Sequence, residues 1–80
     1  MRFVIRLKEP HEKKGATHYR VWKDTGVVQN TVKRYAENAE VILESLPATV
    51  VTLARYYGVD WRDPAIVEVI DESDETNRHQ

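Results

Sequence analysis

The positions of the glycines and prolines limit how long any helix or strand in this sequence can be. There are three of each in 80 residues. Proline suits the first turn of a helix, where its missing N–H is not needed, and glycine is favoured just after the last turn because it adopts positive φ at little cost. Pro10 and Gly15 therefore predict one short helix between them. Pro47 and Gly58 predict a longer one.

Between these breaks, two segments repeat their apolar residues at helical spacing. Thr17 can accept hydrogen bonds from the first amides of a helix over 18–25, which Gly26 would end. A third helix is predicted over 29–37. The pattern alone leaves its C-terminal end open, because no glycine or proline follows before Pro47 and the apolar stripe could continue.

Both ends of the chain carry strand patterns. Residues 2–7 alternate in side-chain character, and residues 66–70 are rich in β-branched residues. The simplest arrangement pairs them as a short antiparallel two-stranded ribbon, within one chain or between two chains. A ribbon of two strands is marginal unless it packs on the helices, and its free edge is open to a second subunit. We therefore expect a dimer contact at or beside this ribbon.

The length and composition fit one small domain. A chain of 80 residues, 41% of them hydrophobic and 31% charged, can build a single core. The lack of cysteine excludes disulfide scaffolds and thiolate metal sites. No apolar run approaches the roughly 20 residues of a membrane-spanning helix. Residues 1–6 are too few and too charged for a signal peptide, so a cytoplasmic protein without membrane contact is expected.

These observations predict a mostly α protein. The domain would cover residues 1–70 as a small bundle of four to five helices, with the two-stranded ribbon formed by its terminal segments. Residues 71–80 are polar and acidic, and they cannot bury an apolar face. We expect them to form a disordered acidic tail.

The charges are unevenly distributed along the chain. Residues 1–36 contain nine Lys or Arg and three Asp or Glu, a net charge of +6, whereas residues 37–80 contain three and ten, a net charge of −7. The first half would attract a polyanion, and the second half would repel it. Chance together with an acidic tail remains the alternative explanation.

Two motifs resemble those of one family. Residues 17–36 read THYRVWKDTGVVQNTVKRYA, a capped helix, a glycine turn and a second helix. The pattern TGVxxxTVxR over 25–34, with LARYYGV over 53–59, resembles the Cro/C1-type (Xre family) helix-turn-helix proteins of bacterial and phage regulators. The resemblance covers roughly residues 2–70. It implies a lambda-repressor-like fold, a cytoplasmic protein encoded by a bacterium or phage, and a recognition helix that ends near Asn38.

Some positions depart from the family pattern. Trp22 stands where the family has alanine, at the crossing of the second and third helices, and a ring there requires repacking or another crossing angle. Val28 replaces the serine or threonine that caps the recognition helix, a loss of roughly 1 kcal/mol. Pro10 and His11 replace apolar or straight-chain residues of the first helix.

The residues predicted to face outward suit duplex DNA. In a helix-turn-helix the second helix enters the major groove. There the amides of Gln29 and Asn30 can pair with adenine, and Arg34 can reach guanine or a phosphate. Lys33 would contact phosphate, which positions the protein without specifying sequence. The full predicted set of DNA-contacting residues is Thr17, His18, Val28, Gln29, Asn30, Thr31, Lys33 and Arg34. An ordinary solvated helix face is the alternative.

The sequence indicates a binding protein rather than an enzyme, since no catalytic arrangement, phosphate loop, cofactor motif or metal-ligand spacing is present. The predicted function is a sequence-specific transcriptional regulator, a repressor or Cro-like homodimer. The alternative is a protein-interaction module or antitoxin on the same scaffold with weak or lost DNA binding, whose partner would be a toxin or an antirepressor. Trp22, Val28 and the acidic second half motivate that alternative. The aromatic residues, at helical spacing, are expected in or beside the core rather than stacked on bases.

Overall fold

The computed structural model describes residues 1–71, which form four helices and a three-stranded antiparallel sheet. In chain order the elements are β1 (Arg2–Ile5), α1 (Lys8–Lys14), α2 (His18–Thr25), α3 (Gln29–Glu37), β2 (Val41–Leu43), α4 (Ala48–Tyr57) and β3 (Val67–Ile70). The prediction of a small domain with four to five helices is confirmed with four, but the mostly α class is correct only in part, because a three-stranded sheet accompanies the helices. The predicted disordered tail, residues 71–80, lies outside the described residues apart from Asp71.

The glycine and proline pattern placed the helices correctly. Gly15, Gly26 and Gly58 each follow a helix with φ between 71° and 81°, the left-handed region that glycine enters at little cost. The first helix begins at Lys8, slightly earlier than Pro10 suggested. Proline is accommodated there because the first turn of a helix has no amide partners to lose.

The third helix ends where the family resemblance implied. Its last residue is Glu37, and Asn38 has left the helical conformation, with φ −110° and ψ 128°. The Asn38 side-chain amide donates to the Arg34 carbonyl oxygen at 2.7 Å. That bond satisfies one of the carbonyls that the end of a helix leaves without a partner.

The predicted two-stranded ribbon is wrong, because the sheet has three strands in the order β2-β1-β3. The added strand is β2, Val41–Leu43, which pairs with β1 so that Ile5 lies opposite Val41. On sequence alone this segment could have continued the third helix. Its residues instead turn back at Asn38, and pairing with β1 buries Val41.

The two strands predicted from the chain ends pair within one chain. In the β1–β3 ladder, Arg2 lies opposite Ile70 and Ile5 lies opposite Val67. The two terminal strands therefore pair within one chain, and β2 and β3 are the edge strands of the sheet. The Arg6 guanidinium forms ion pairs on both sides of β1. Its Nη2 lies 2.8 Å from a carboxylate oxygen of Glu40 and 2.8 Å from one of Glu68.

The core lies where the helices meet one face of the sheet. Val21 of α2 and Val32 and Tyr35 of α3 are all buried, which anchors these two helices to each other and to the rest of the domain, as the sequence predicted. The largest fully buried side chains are Ile5, Leu7, Val21, Val32, Val50 and Leu53. Within residues 1–71, every helix is too short or too polar to cross a membrane.

Candidate nucleic-acid interface

Helix α3 has one buried side and one fully polar exposed side. Its buried residues are Val32, Tyr35 and Ala36, which are at most 6% exposed. The helical repeat places the remaining side chains on the opposite arc. The exposed residues of that arc are Gln29, Asn30, Lys33, Arg34 and Glu37. Four of the predicted DNA-contacting residues therefore lie together on one solvent-facing surface, which we call the α3 face.

Two other predicted residues lie at the start of α3. Val28 occupies the capping position and its side chain is 59% exposed, with no side-chain cap bond. Its carbonyl oxygen accepts the amides of Thr31 and Val32 at 3.0 and 3.1 Å. Thr31 is half-buried, so it lies at the border of the α3 face rather than at its centre.

The last two predicted residues form a separate group at the start of α2. The Thr17 side-chain oxygen accepts the Arg20 amide at 3.1 Å, which caps the helix as predicted. His18 is half-buried, and its ring centroid lies 5.5 Å from that of His11 on α1. Thr17 and His18 thus belong to the α1–α2 junction and not to the α3 face.

Cations near the α3 face differ in how far they are engaged within the protein. Arg20 of α2 donates to Asp24 Oδ2 at 3.0 Å, and the Tyr56 hydroxyl of α4 donates to the same oxygen at 2.7 Å. The hydrogen bond from Tyr56 has the larger effect on the pKa of Asp24 and the bond from Arg20 the next largest. Both hold that pKa below its usual value. By contrast, Lys33 and Arg34 form no ion pair with any residue of the described chain. Their charge is available to an external anion.

The structure also exposes two aromatic residues that the sequence reasoning expected in or beside the core. Tyr19 and Trp22 of α2 are 55% and 39% exposed. Trp22 therefore does not force the α2–α3 crossing to repack, because its ring projects outward. The sequence contains one indication of this, because residues three positions apart lie on the same side of a helix. Val21 marks the buried side of α2. The remaining aromatics expected in or beside the core, Tyr56, Tyr57 and Trp61, do pack against it.

Behind the start of α2 lies a buried histidine. His11 is 8% exposed, and its Nδ1 lies 2.8 Å from the Tyr57 hydroxyl oxygen of α4. Burial, and then the nearby His18, lower the pKa of His11, while Glu12 acts weakly in the other direction. The histidine therefore serves as a neutral part of the α1–α2–α4 junction.

An open groove lies on another side of the domain. It has a volume of about 650 Å³ and runs between α1 and the segment that follows α4, with Pro10, Tyr57 and Ile66 among its walls. Charged side chains of both signs line its rim, so it has no clear preference for an anion or a cation. Over residues 1–71, the His, Asp and Glu side chains form no group of three or more that would suit a metal ion.

Comparisons of the chain with protein-family models, with curated proteins and with solved structures gave no match. The resemblance to the Cro/C1-type family thus remains a prediction from the two sequence motifs. The function has to be inferred from the residues of the α3 face and their surroundings.

Proposed function

We propose that this protein is a sequence-specific DNA-binding regulator that reads the major groove with α3. The observation that carries this proposal is the α3 face. Helix α3, packed into the core through Val32 and Tyr35, presents a polar surface with two amides and with two cations that form no ion pair with a described residue. A major groove is wide enough to admit such a helix, and amides and guanidinium groups are the side chains that read base edges there.

The proposed arrangement is a helix-turn-helix formed by α2 and α3. The connection between them, Gly26–Val28, is short, and the two helices pack against each other through Val21 and Val32. Gln29 and Asn30 would reach base edges because they lie at the start of the recognition helix. Lys33 and Arg34, one turn further on, would contact phosphate or guanine.

We also propose that the regulator acts as a homodimer joined along β3. Arg6 N donates to Ile66 O at 2.8 Å, and the alternation of an antiparallel ladder then turns the backbone groups of Val69 toward the open edge. The Val67 N–H already donates to Asp63 O at 3.0 Å, so Val69 is the centre of the available edge. Pairing two copies about Val69 places Glu68 opposite Ile70 of the partner, so no like charges meet.

The other edge is less suitable for two-fold pairing. If two β2 strands paired about Ile42, Glu40 of one copy would lie opposite Glu44 of the other. Like charges directly opposite each other destabilise a sheet. A single module of this size makes few base contacts, so a dimer on a two-fold symmetric site is needed for useful specificity.

The direct test is selection of bound sequences from a random duplex pool, followed by gel-shift titration at several salt concentrations. A DNA-binding regulator should enrich a two-fold symmetric sequence and lose affinity steeply as salt rises. Failure to shift any duplex at low salt would eliminate the proposal.

A protein-interaction module is the second candidate. The exposed Val28 favours it, because an apolar side chain 59% exposed at the head of α3 contributes no hydrogen bond to a base or phosphate. On this alternative, the same experiment gives no enriched sequence, and a protein ligand such as a toxin or antirepressor protects the α3 face from solvent instead. Hydrogen exchange of the α3 amides with and without that ligand would show the protection.

A further inference from the structure

Two aromatic side chains of α2 form one exposed surface. The ring centroids of Tyr19 and Trp22 are 5.5 Å apart, with an angle of 48° between the ring planes. We call these two residues the aromatic pair. More than half of Tyr19 and more than a third of Trp22 are exposed to solvent, and adjoining exposed aromatic side chains are typical of contact sites.

The aromatic pair lies on the side of α2 that is turned away from α4. Helix α2 contacts both α3 and α4, and Asp24 marks the α4 side because it accepts from Tyr56. Trp22 comes two positions before Asp24, so the helical repeat puts it on nearly the opposite side. The Trp22 carbonyl accepts the Gly26 amide at 2.8 Å, so its turn leads directly into the connection to α3.

The charges near the pair favour a polyanion over an apolar protein surface. Lys23 directly follows Trp22, and like Lys33 and Arg34 it forms no ion pair with a described residue. Within residues 1–71, nothing accepts a hydrogen bond from the Trp22 indole N–H or the Tyr19 hydroxyl. The surface therefore combines flat apolar rings, two neutral donors and several cations.

We propose that the aromatic pair contacts the sugar–phosphate backbone of the duplex that α3 reads, with the indole N–H and the phenol O–H donating to phosphate oxygens. This inference rests on the proposed DNA binding by α3. Phosphate contacts position a protein without reading sequence. Because both donors are neutral, they displace no counterion, so their loss weakens binding without changing its salt dependence.

The first test uses fluorescence. The chain has two tryptophans, so a Trp61→Phe variant reports on Trp22 alone and a Trp22→Phe variant reports on Trp61 alone. Adding the selected duplex should reduce acrylamide quenching of Trp22 and leave that of Trp61 unchanged. If Trp22 stays equally accessible in a complex that the gel shift shows to be formed, the aromatic contact is overturned while DNA binding stands.

The second test uses the double variant Tyr19→Phe with Trp22→Phe, which keeps both rings and removes both donors. We expect affinity to fall about a hundredfold, roughly tenfold for each of the two charge-assisted hydrogen bonds lost, equally on cognate and random duplexes and with the same salt slope. Trp61→Phe is the matched control and should bind normally. A loss confined to the cognate duplex would make the pair a base reader and overturn the proposed role.

The two proposals fail in different ways. Wild-type protein that binds no duplex at low salt overturns both. Normal DNA binding by the double variant overturns only the aromatic contact. Protection of Trp22 by a protein ligand, with none by DNA, assigns the pair to a protein interface instead.

Discussion

At the scale of single residues, His11 joins three helices through its ring. It is buried beside His18 of α2, and it is hydrogen bonded to Tyr57 of α4. Burial raises the pKa of Tyr57 to about 12, so the tyrosine keeps its proton throughout the range in which histidine titrates. Protonation of His11 would bring a charge into this junction next to a second imidazole.

This environment predicts a loss of stability in mild acid. The pKa of His11 is lower in the folded protein than the ordinary value of about 6.5, so the unfolded chain binds the proton more readily. The free energy of unfolding should be fully maintained above pH 6.5 and should fall as the pH drops below it. Urea unfolding at a series of pH values measures this. His11→Gln should flatten the dependence, and an unchanged slope in that variant would rule out His11 as its source.

The two amides at the start of α3 are predicted to read bases. Gln29→Ala or Asn30→Ala should cost roughly 1–3 kcal/mol on the selected duplex and relax the preference at one base pair. Both side chains are exposed and make no described hydrogen bond to the protein, so neither change should alter folding. Repeating the sequence selection with each variant gives the result. Unchanged affinity in both variants would remove α3 from the role of reader.

Lys33 is predicted to position the protein rather than to read sequence. Lys33→Ala should weaken binding about equally on all duplexes and lower the slope of log affinity against log salt by about 1. Gel-shift titration at several salt concentrations measures both quantities. The double variant of Tyr19 and Trp22 is the useful contrast, because it should lower affinity without changing the slope. A change of base preference in Lys33→Ala would contradict this division of roles.

At the scale of elements, local chemistry predicted the helices and missed one strand. Glycine and a Thr17 cap act within a few residues, so they can be recognised in the sequence alone. Strand β2 is different, because Val41–Leu43 becomes a strand through pairing with β1, which is far away in the sequence. A short apolar run fits a helix or a strand equally well until its partner is known.

The same limit applies to the candidate site. The α3 face was predictable because helical spacing separates Val32 and Tyr35 from the polar residues between them. The outward position of Trp22 could not be predicted. The family has alanine at this position, and an alanine does not indicate which way a large ring will point. The separation of Thr17 and His18 from the α3 face also depends on how α1, α2 and α4 pack.

Caps at the starts of α2 and α3 provide a matched pair of stability predictions. Thr17→Ala removes the oxygen that accepts the Arg20 amide and should lower the free energy of unfolding by about 1 kcal/mol. Val28→Ser adds a capping oxygen at a position that has none and should raise it by a similar amount. Chemical denaturation of both variants measures the two shifts. Shifts of the same sign would show that capping does not control these helix starts.

At the scale of the whole molecule, the basic and acidic parts of the chain occupy different places. Among the described residues, Lys23, Lys33 and Arg34 of α2 and α3 form no ion pair, whereas Glu40 and Glu68 lie beside and on the sheet and pair with Arg6. A duplex approaching the α3 face would therefore meet a positive surface and leave the sheet free. A dimer joined through the sheet keeps both α3 faces available to DNA.

That arrangement makes the β3 edge the place to test assembly. Val69→Pro removes an N–H that points to the open edge and leaves the pairing of β3 with β1 intact, because proline is tolerated at an outward-facing edge position. Ile42→Pro makes the equivalent change on the β2 edge and is the matched control. In sedimentation experiments, Val69→Pro should be monomeric and Ile42→Pro should remain a dimer. Truncation after Pro64 should abolish dimerisation and also lower the stability of the domain. A truncated chain or a Val69→Pro variant that stays a stable dimer would place the interface elsewhere without affecting the proposal that α3 binds DNA.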